Sequence, residues 1–73
     1  MNSSSVAHNI RYFFHKNELL YSSNDIKLRV ARNRILDYLK SIDNINFLKI
    51  RDELAKNHKL EASIFTDMFF QEF

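Results

Sequence analysis

Histidines and carboxylates are the side chains of this 73-residue chain that could carry out acid–base or metal chemistry, and their spacing does not favour it. His8 and His15 are two helical turns apart, roughly 10 Å along a helix axis, which is too far to share one metal ion. His58 has no second histidine near it in sequence. The chain has no cysteine and no glycine-rich phosphate loop. We therefore expect no catalytic residue, no metal site, no cofactor and no small-molecule substrate, and a protein that is not an enzyme.

Basic residues are concentrated in the first half of the chain. Residues 1–40 contain seven Lys or Arg and three Asp or Glu, a balance of +4, whereas residues 41–73 contain four and six, a balance of −2. The densest basic stretch consists of Lys27, Arg29, Arg32 and Arg34. This stretch has two interpretations, a surface for an acidic partner or DNA phosphates and an ordinary solvated helix face.

Aromatic residues make up 14% of the chain, and seven of them are phenylalanines. Phe13, Phe65 and Phe69 are expected in the core. Phe70, Phe73 and Tyr12 are candidates for a protein interface, because aromatic side chains are enriched at interfaces and a short helix cannot bury apolar residues all around its axis. The expected partners are another protein and a second copy of the chain, most simply in a homodimer.

The elements that carry these residues are predicted to be helical. The absence of glycine and proline removes the residues that most tight hairpin turns need. Apolar residues recur at helical spacings from Val6, over 25–42, over 47–58 and from Glu61 onward. The interruptions at 22–25 and 43–46 are rich in Ser, Asn and Asp. We predict an all-α fold, a compact bundle of three to four helices, with residues 1–5 as a flexible tail and 6–73 as one domain.

Two further runs carry a family resemblance. Arg34–Ser41 provides a first helix, and Asp52–Met68 has a small residue at Ala55 and an apolar residue at Leu60. In this pattern residues 34–73 resemble helix-turn-helix and winged-helix domains, which implies helix-turn-helix topology and DNA binding. The basic stretch would then hold phosphates, and the base-reading residues would be Ser63, Thr66 and Gln71. The resemblance implies a recognition helix whose outward residues are Glu61, Ala62, Ser63, Thr66, Asp67 and Phe70.

A separate pattern resembles the LisH dimerisation motif, which implies self-association. It consists of Ile35–Leu39 followed by Phe47, Ile50 and Leu54. Taken together, the sequence predicts a small non-enzymatic adaptor or regulator that binds proteins through an aromatic helix face. The alternative is a helix-turn-helix DNA-binding regulator. No apolar run reaches the length of a membrane span and no secretory signal is evident, so an intracellular, soluble protein is expected.

The helical periodicity gives a direct test. Far-UV circular dichroism should be dominated by helix, with more than about half of the residues helical compared with the usual third. A substantial sheet signal would contradict the predicted fold class.

Overall fold

The computed structural model describes residues 2–20 and 25–70, and these form four helices and no strand. The helices are α1 (Ser3–Lys16), α2 (Asp25–Lys40), α3 (Phe47–Asn57) and α4 (Lys59–Phe69). The predicted all-α bundle is therefore confirmed. Within the described ranges, no helix combines the length and apolarity that a bilayer crossing would require.

Helix α1 begins earlier than the sequence pattern suggests. The side chain of Asn2 accepts a hydrogen bond from the backbone amide of Ser5 at 2.8 Å, as an N-cap residue does. Residues 3–5, expected in a flexible tail, are consequently the first turn of α1. Of the interruption predicted at 22–25, residues 22–24 lie outside the described residues.

The connection between α2 and α3 falls where the Asn- and Asp-rich break predicts it. Helix α2 ends at Lys40, two residues before the expected end. Asn44 adopts a positive φ of 58°, a conformation that asparagine tolerates better than most residues. Asn46 then caps α3 by accepting from the backbone amide of Lys49 at 3.2 Å. Asn44 therefore takes a conformation for which glycine is the usual residue, and Asn46 serves as the helix cap.

The corner between α3 and α4 is a single residue, His58, which follows one helix and precedes the next. Helix α4 therefore begins at Lys59, two residues before the expected start. Ala55, the small residue of the helix-turn-helix resemblance, is exposed. The buried stripe of α3 runs through Ile50 and Leu54, and the next residue lies about 100° further around the helix.

Helix α3 is the centre of the packing. Among the described residues, α3 is the helix whose backbone approaches both α1 and α4 closely, whereas α2 makes few such approaches. Only Ala31, Ile35 and Leu39 of α2 are fully buried, on one stripe of that helix. The buried apolar core consists of Val6, Ala7, Ile10, Phe14, Leu19, Ala31, Ile35, Leu39, Ile50, Leu54, Ala62 and Phe65.

An aromatic cluster closes the end of the bundle where α3 begins and α4 ends. The rings of Phe65 and Phe69 lie 4.9 Å apart between centroids, and Phe47 lies 5.4 Å from Phe69 at nearly right angles. Separations of this size are favourable for aromatic pairs. Phe65 is fully buried, as expected, whereas Phe13 and Phe69 are only partly buried against the core.

Two leucines of α3 give a matched test of this packing. Leu54 is 1% exposed and Leu48 is 51% exposed, so the same substitution removes the same atoms from the core and from the surface. We expect Leu54→Ala to lower the free energy of unfolding by about 2–5 kcal/mol and Leu48→Ala by about 0.5 kcal/mol or less. Urea unfolding followed by circular dichroism measures both. Equal losses would contradict the position of α3 at the centre of the core.

Candidate functional site

Glu61 is the polar residue that the bundle buries. It was expected on the outward face of α4, and that expectation is wrong, because Glu61 is only 6% exposed. Its Oε2 atom lies 3.2 Å from Nε2 of His15 and 3.5 Å from Nε of Arg11, both on α1. It also lies 3.5 Å from Nδ1 of His58 at the α3–α4 corner. A buried carboxylate needs such partners, because desolvation of an unpaired charge is costly.

The hydrogen bonds of this cluster assign roles to its members. Nε of Arg11 donates to Nδ1 of His58 at 3.1 Å, so that ring nitrogen is the acceptor. Burial raises the pKa of Glu61, but the hydrogen bond from its own backbone amide and the hydrogen bond with His15 together hold the pKa below its usual range. The carboxylate is therefore ionised at neutral pH and ties α1 to the start of α4.

The contacts of the Glu61 cluster join α1, the α3–α4 corner and α4. Among residues 2–20 and 25–70, no three His, Asp or Glu side chains are arranged so that they could hold a metal ion. At Glu61 the guanidinium of Arg11 supplies the positive charge. Sequence spacing could not reveal the cluster, because His15 and Glu61 are 46 residues apart. The one local signal is the i,i+3 spacing of His58 and Glu61.

The four residues of the basic stretch do not form one patch. Lys27 and Arg34 line a groove on the side of α2 that faces α1, whereas Arg29 and Arg32 line a groove on the side that faces α4. Nε of Arg32 donates to the backbone carbonyl of Met68 at 2.9 Å, and its guanidinium lies 5.5 Å from the ring centroid of Phe69. Arg32 thus takes part in holding α2 against α4.

Between α1 and α2 runs an apolar groove that we call the α1–α2 groove. Its larger part has a volume of about 530 Å³, and a smaller part of about 210 Å³ adjoins it, with Phe13, Asn17 and Arg34 lining both. The floor contains the buried side chains of Ile10 and Ile35. The other residues that line one or both parts include Asn9, Tyr12, Lys16, Leu19, Lys27, Val30, Ala31 and Tyr38.

Polar contacts fix the walls of the α1–α2 groove. Nδ2 of Asn9 on α1 donates to the hydroxyl of Tyr38 on α2 at 2.9 Å, which joins the two helices. Nδ2 of Asn17 donates to the carbonyl of Phe13 at 2.9 Å. Nζ of Lys16 lies 5.9 Å from the ring centroid of Tyr12, within the range of a cation–π contact. The groove therefore has defined positions for its aromatic and cationic side chains.

A second groove, the α2–α4 groove, has a volume of about 750 Å³ and is more mixed in charge. Arg29 and Arg32 line it together with the carboxylates of Asp25 and Asp67. Its apolar lining comes from α2, from α4 and from the leucines that follow the end of α1. Two grooves thus flank α2, which follows from its attachment through one buried stripe.

The described members of the predicted base-reading set, Ser63 and Thr66, both lie on α4. Ser63 is exposed on α4, but the hydroxyl of Thr66 donates to the carbonyl of Ala62 at 2.8 Å within its own helix. Ala62, expected to face outward, is 6% exposed. Gln71 lies outside the described residues. Of the outward face that the resemblance implies, Ser63 and Asp67 are the exposed members.

The predicted interface aromatics occupy different environments. Tyr12 is 61% exposed beside the α1–α2 groove. Phe70 follows the end of α4, which frees it from the helical register, and its ring is partly buried 6.2 Å from Phe65 and 4.9 Å from the guanidinium of Arg51. Phe73 lies outside the described residues. Self-association through Phe70 or Phe73 stays a prediction.

No protein-family model, curated protein or solved structure is significantly similar to this chain. The resemblances to helix-turn-helix domains and to the LisH motif therefore stay predictions, and the function has to be argued from the surface itself.

The buried carboxylate gives a pH-dependent prediction. Because the pKa of Glu61 is held below its ordinary value of 4.5, its ionised form stabilises the fold above that pH, and this stabilisation is lost as the pH falls further. We expect Glu61→Gln to lower the free energy of unfolding by about 1–2 kcal/mol at pH 7, and by much less at pH 3. Urea unfolding at the two pH values measures this.

Asp67→Asn is the matched control for that experiment, because it neutralises an exposed carboxylate on the same helix. It should change stability by about 0.5 kcal/mol or less at either pH. A Glu61→Gln variant that is as stable as the wild type at pH 7 would contradict the role of the carboxylate as a brace between α1 and α4.

Proposed function

We propose that this chain is a small non-enzymatic helical module that acts by binding another protein through the outward surface of α1 and α2. The observation that carries the proposal is the exposure of three large apolar side chains on this surface. Ile26 is 75% exposed, Tyr12 61% and Val30 46%. Tyr12 and Val30 line the two parts of the α1–α2 groove, and exposed apolar residues beside a groove are typical of interaction sites.

The charge of the surface supports the same proposal. Lys16, Lys27 and Arg34 border the exposed apolar residues, and residues 1–40 have a balance of +4. An interface of this composition combines burial of aromatic and aliphatic side chains with charge complementarity, which favours rapid and specific association. The partner is therefore a protein whose contacting surface is apolar and acidic.

DNA binding is the second candidate, and the burial of Glu61 favours it. That carboxylate, paired with Arg11 and two histidines, does not face outward on α4 and would not repel phosphates. Against this, the cations of α2 are divided between two sides of the helix and Arg32 is engaged with α4. A duplex contacted through one face of α2 would meet only part of the basic stretch.

Site-specific photo-crosslinking tests the proposed function. A benzophenone amino acid placed at Val30 should form a covalent adduct with one discrete protein in cells that express the chain, because this position lies in the proposed interface. The same amino acid at Asp52, an exposed position on α3, is the matched control and should form none. Mass spectrometry identifies the adduct, and Tyr12→Ala should reduce its yield severalfold.

Titration of random-sequence duplex DNA decides between the two candidates. We expect no saturable binding even at low salt, where a protein that contacts phosphates should bind duplex DNA of any sequence. Tight, saturable DNA binding together with equal crosslinking at Val30 and Asp52 would overturn protein binding as the function and favour the second candidate.

A further inference from the structure

We infer that the α1–α2 groove binds an acidic amphipathic helix of the partner protein. This inference rests on the proposed function and specifies its ligand. The groove contains an aromatic and aliphatic surface with cations from both helices: Lys16 from α1, and Lys27 and Arg34 from α2. Lys16 and Arg34 line the part of the groove that contains Ile10 and Ile35, and Lys27 lines the adjoining smaller part.

The charge of the α1–α2 groove is of one sign. Among the described residues that line its two parts there is no Asp or Glu, whereas the α2–α4 groove carries Asp25 and Asp67 beside its two arginines. Carboxylates on a ligand would therefore be attracted in the first groove and partly opposed in the second. Electrostatic complementarity of this kind selects partners by the sign of their charge.

A helical ligand fits this groove better than an extended one. An extended peptide gains affinity by adding a strand to a sheet edge, and the described part of this chain contains no strand. An extended backbone in an apolar groove would leave amides and carbonyls unpaired, whereas a helix pairs its own. Lying in grooves lined by apolar side chains is a recurrent mode of helix recognition.

The length of the groove sets the length of the ligand. On α1 the lining extends from Asn9 to Asn17, which is about 12 Å along a helix axis. A ligand helix of about three turns would cover it, with apolar residues at i, i+3 or i+4 and i+7 facing Tyr12, Phe13 and Val30. Glutamates or aspartates on its flanks would then lie near Lys16 and Arg34.

A second copy of the chain fits the groove less well. The exposed face of α3 carries Leu48 and Asp52, but Lys49 and Lys56 lie on exposed positions of the same helix. The exposed residues of α4 include both Lys59 and Asp67. Among the described helices, none presents an apolar stripe flanked only by carboxylates. The ligand is therefore a segment of a different protein.

Fluorescence anisotropy with a model peptide tests the inference. The probe is a labelled 14-residue helical peptide with leucines on one face and four flanking glutamates, and the control peptide has glutamine at those four positions. We expect saturable binding of the glutamate peptide, at least fivefold weaker binding of the glutamine peptide, and a decrease in affinity between 20 and 200 mM salt.

Charge reversal locates the site. The double variant Lys16→Glu, Arg34→Glu should bind the glutamate peptide at least tenfold more weakly than the wild type. Its matched control is Arg29→Glu, Lys40→Glu, which makes the same change in net charge at exposed positions of α2 outside this groove. The control should bind within about threefold of the wild type, because only long-range charge is altered. Circular dichroism confirms that both variants retain their helices.

Four outcomes would overturn the inference. These are failure of the glutamate peptide to bind, equal binding of the two peptides, equal weakening by the two double variants, and a dimer in sedimentation that Lys16→Glu, Arg34→Glu dissociates, which would assign the groove to a second copy. If crosslinking at Val30 persists in any of these cases, the proposed function stands with a different ligand. If that crosslinking is also absent, the proposed function fails as well.

Discussion

The close packing of α3 against both α1 and α4 is the constraint on which the rest of this structure depends. A chain of 73 residues has a small core. Helix α3 contributes Ile50 and Leu54 to this core and packs against a helix on each side. Helix α2 is left with one buried stripe, Ala31, Ile35 and Leu39. Most of its circumference consequently faces solvent, and grooves run along both of its sides. The candidate binding surface is thus a consequence of how the limited core is shared.

Two kinds of polar contact complete this arrangement. The Glu61 cluster fixes α1 to the α3–α4 corner. The charge of the buried Glu61 carboxylate is compensated there by its less buried partners. Hydrogen bonds hold α2 to its neighbours. Asn9 donates to Tyr38 on one side, and Arg32 donates to the carbonyl of Met68 on the other. These bonds position α2 without covering its exposed apolar residues. The charges of the Glu61 cluster are therefore structural, and they are separate from the cations that border the α1–α2 groove.

Periodicity predicted the helices because burial of one face imposes a spacing of three and four residues, as in Ala31, Ile35 and Leu39. The outward position of Glu61 was implied by the helix-turn-helix resemblance, and it is wrong because Glu61 is buried against partners on α1 that are distant in sequence. Periodicity could not show that Phe70 escapes the helical register when α4 ends. The four cations between Lys27 and Arg34 were recognised as a cluster in sequence, but in α2 they divide into two pairs that line the grooves on either side of the helix.

We propose the α1–α2 groove as the surface on which this protein acts. ¹H–¹⁵N nuclear magnetic resonance of the labelled protein during titration with the glutamate peptide tests this proposal at the level of single residues. We predict that the largest chemical-shift changes occur at residues of the groove, among them Tyr12, Asn17 and Arg34, with α3 nearly unchanged. Shift changes centred on the exposed faces of α3 and α4, with the groove residues unaffected, would contradict it.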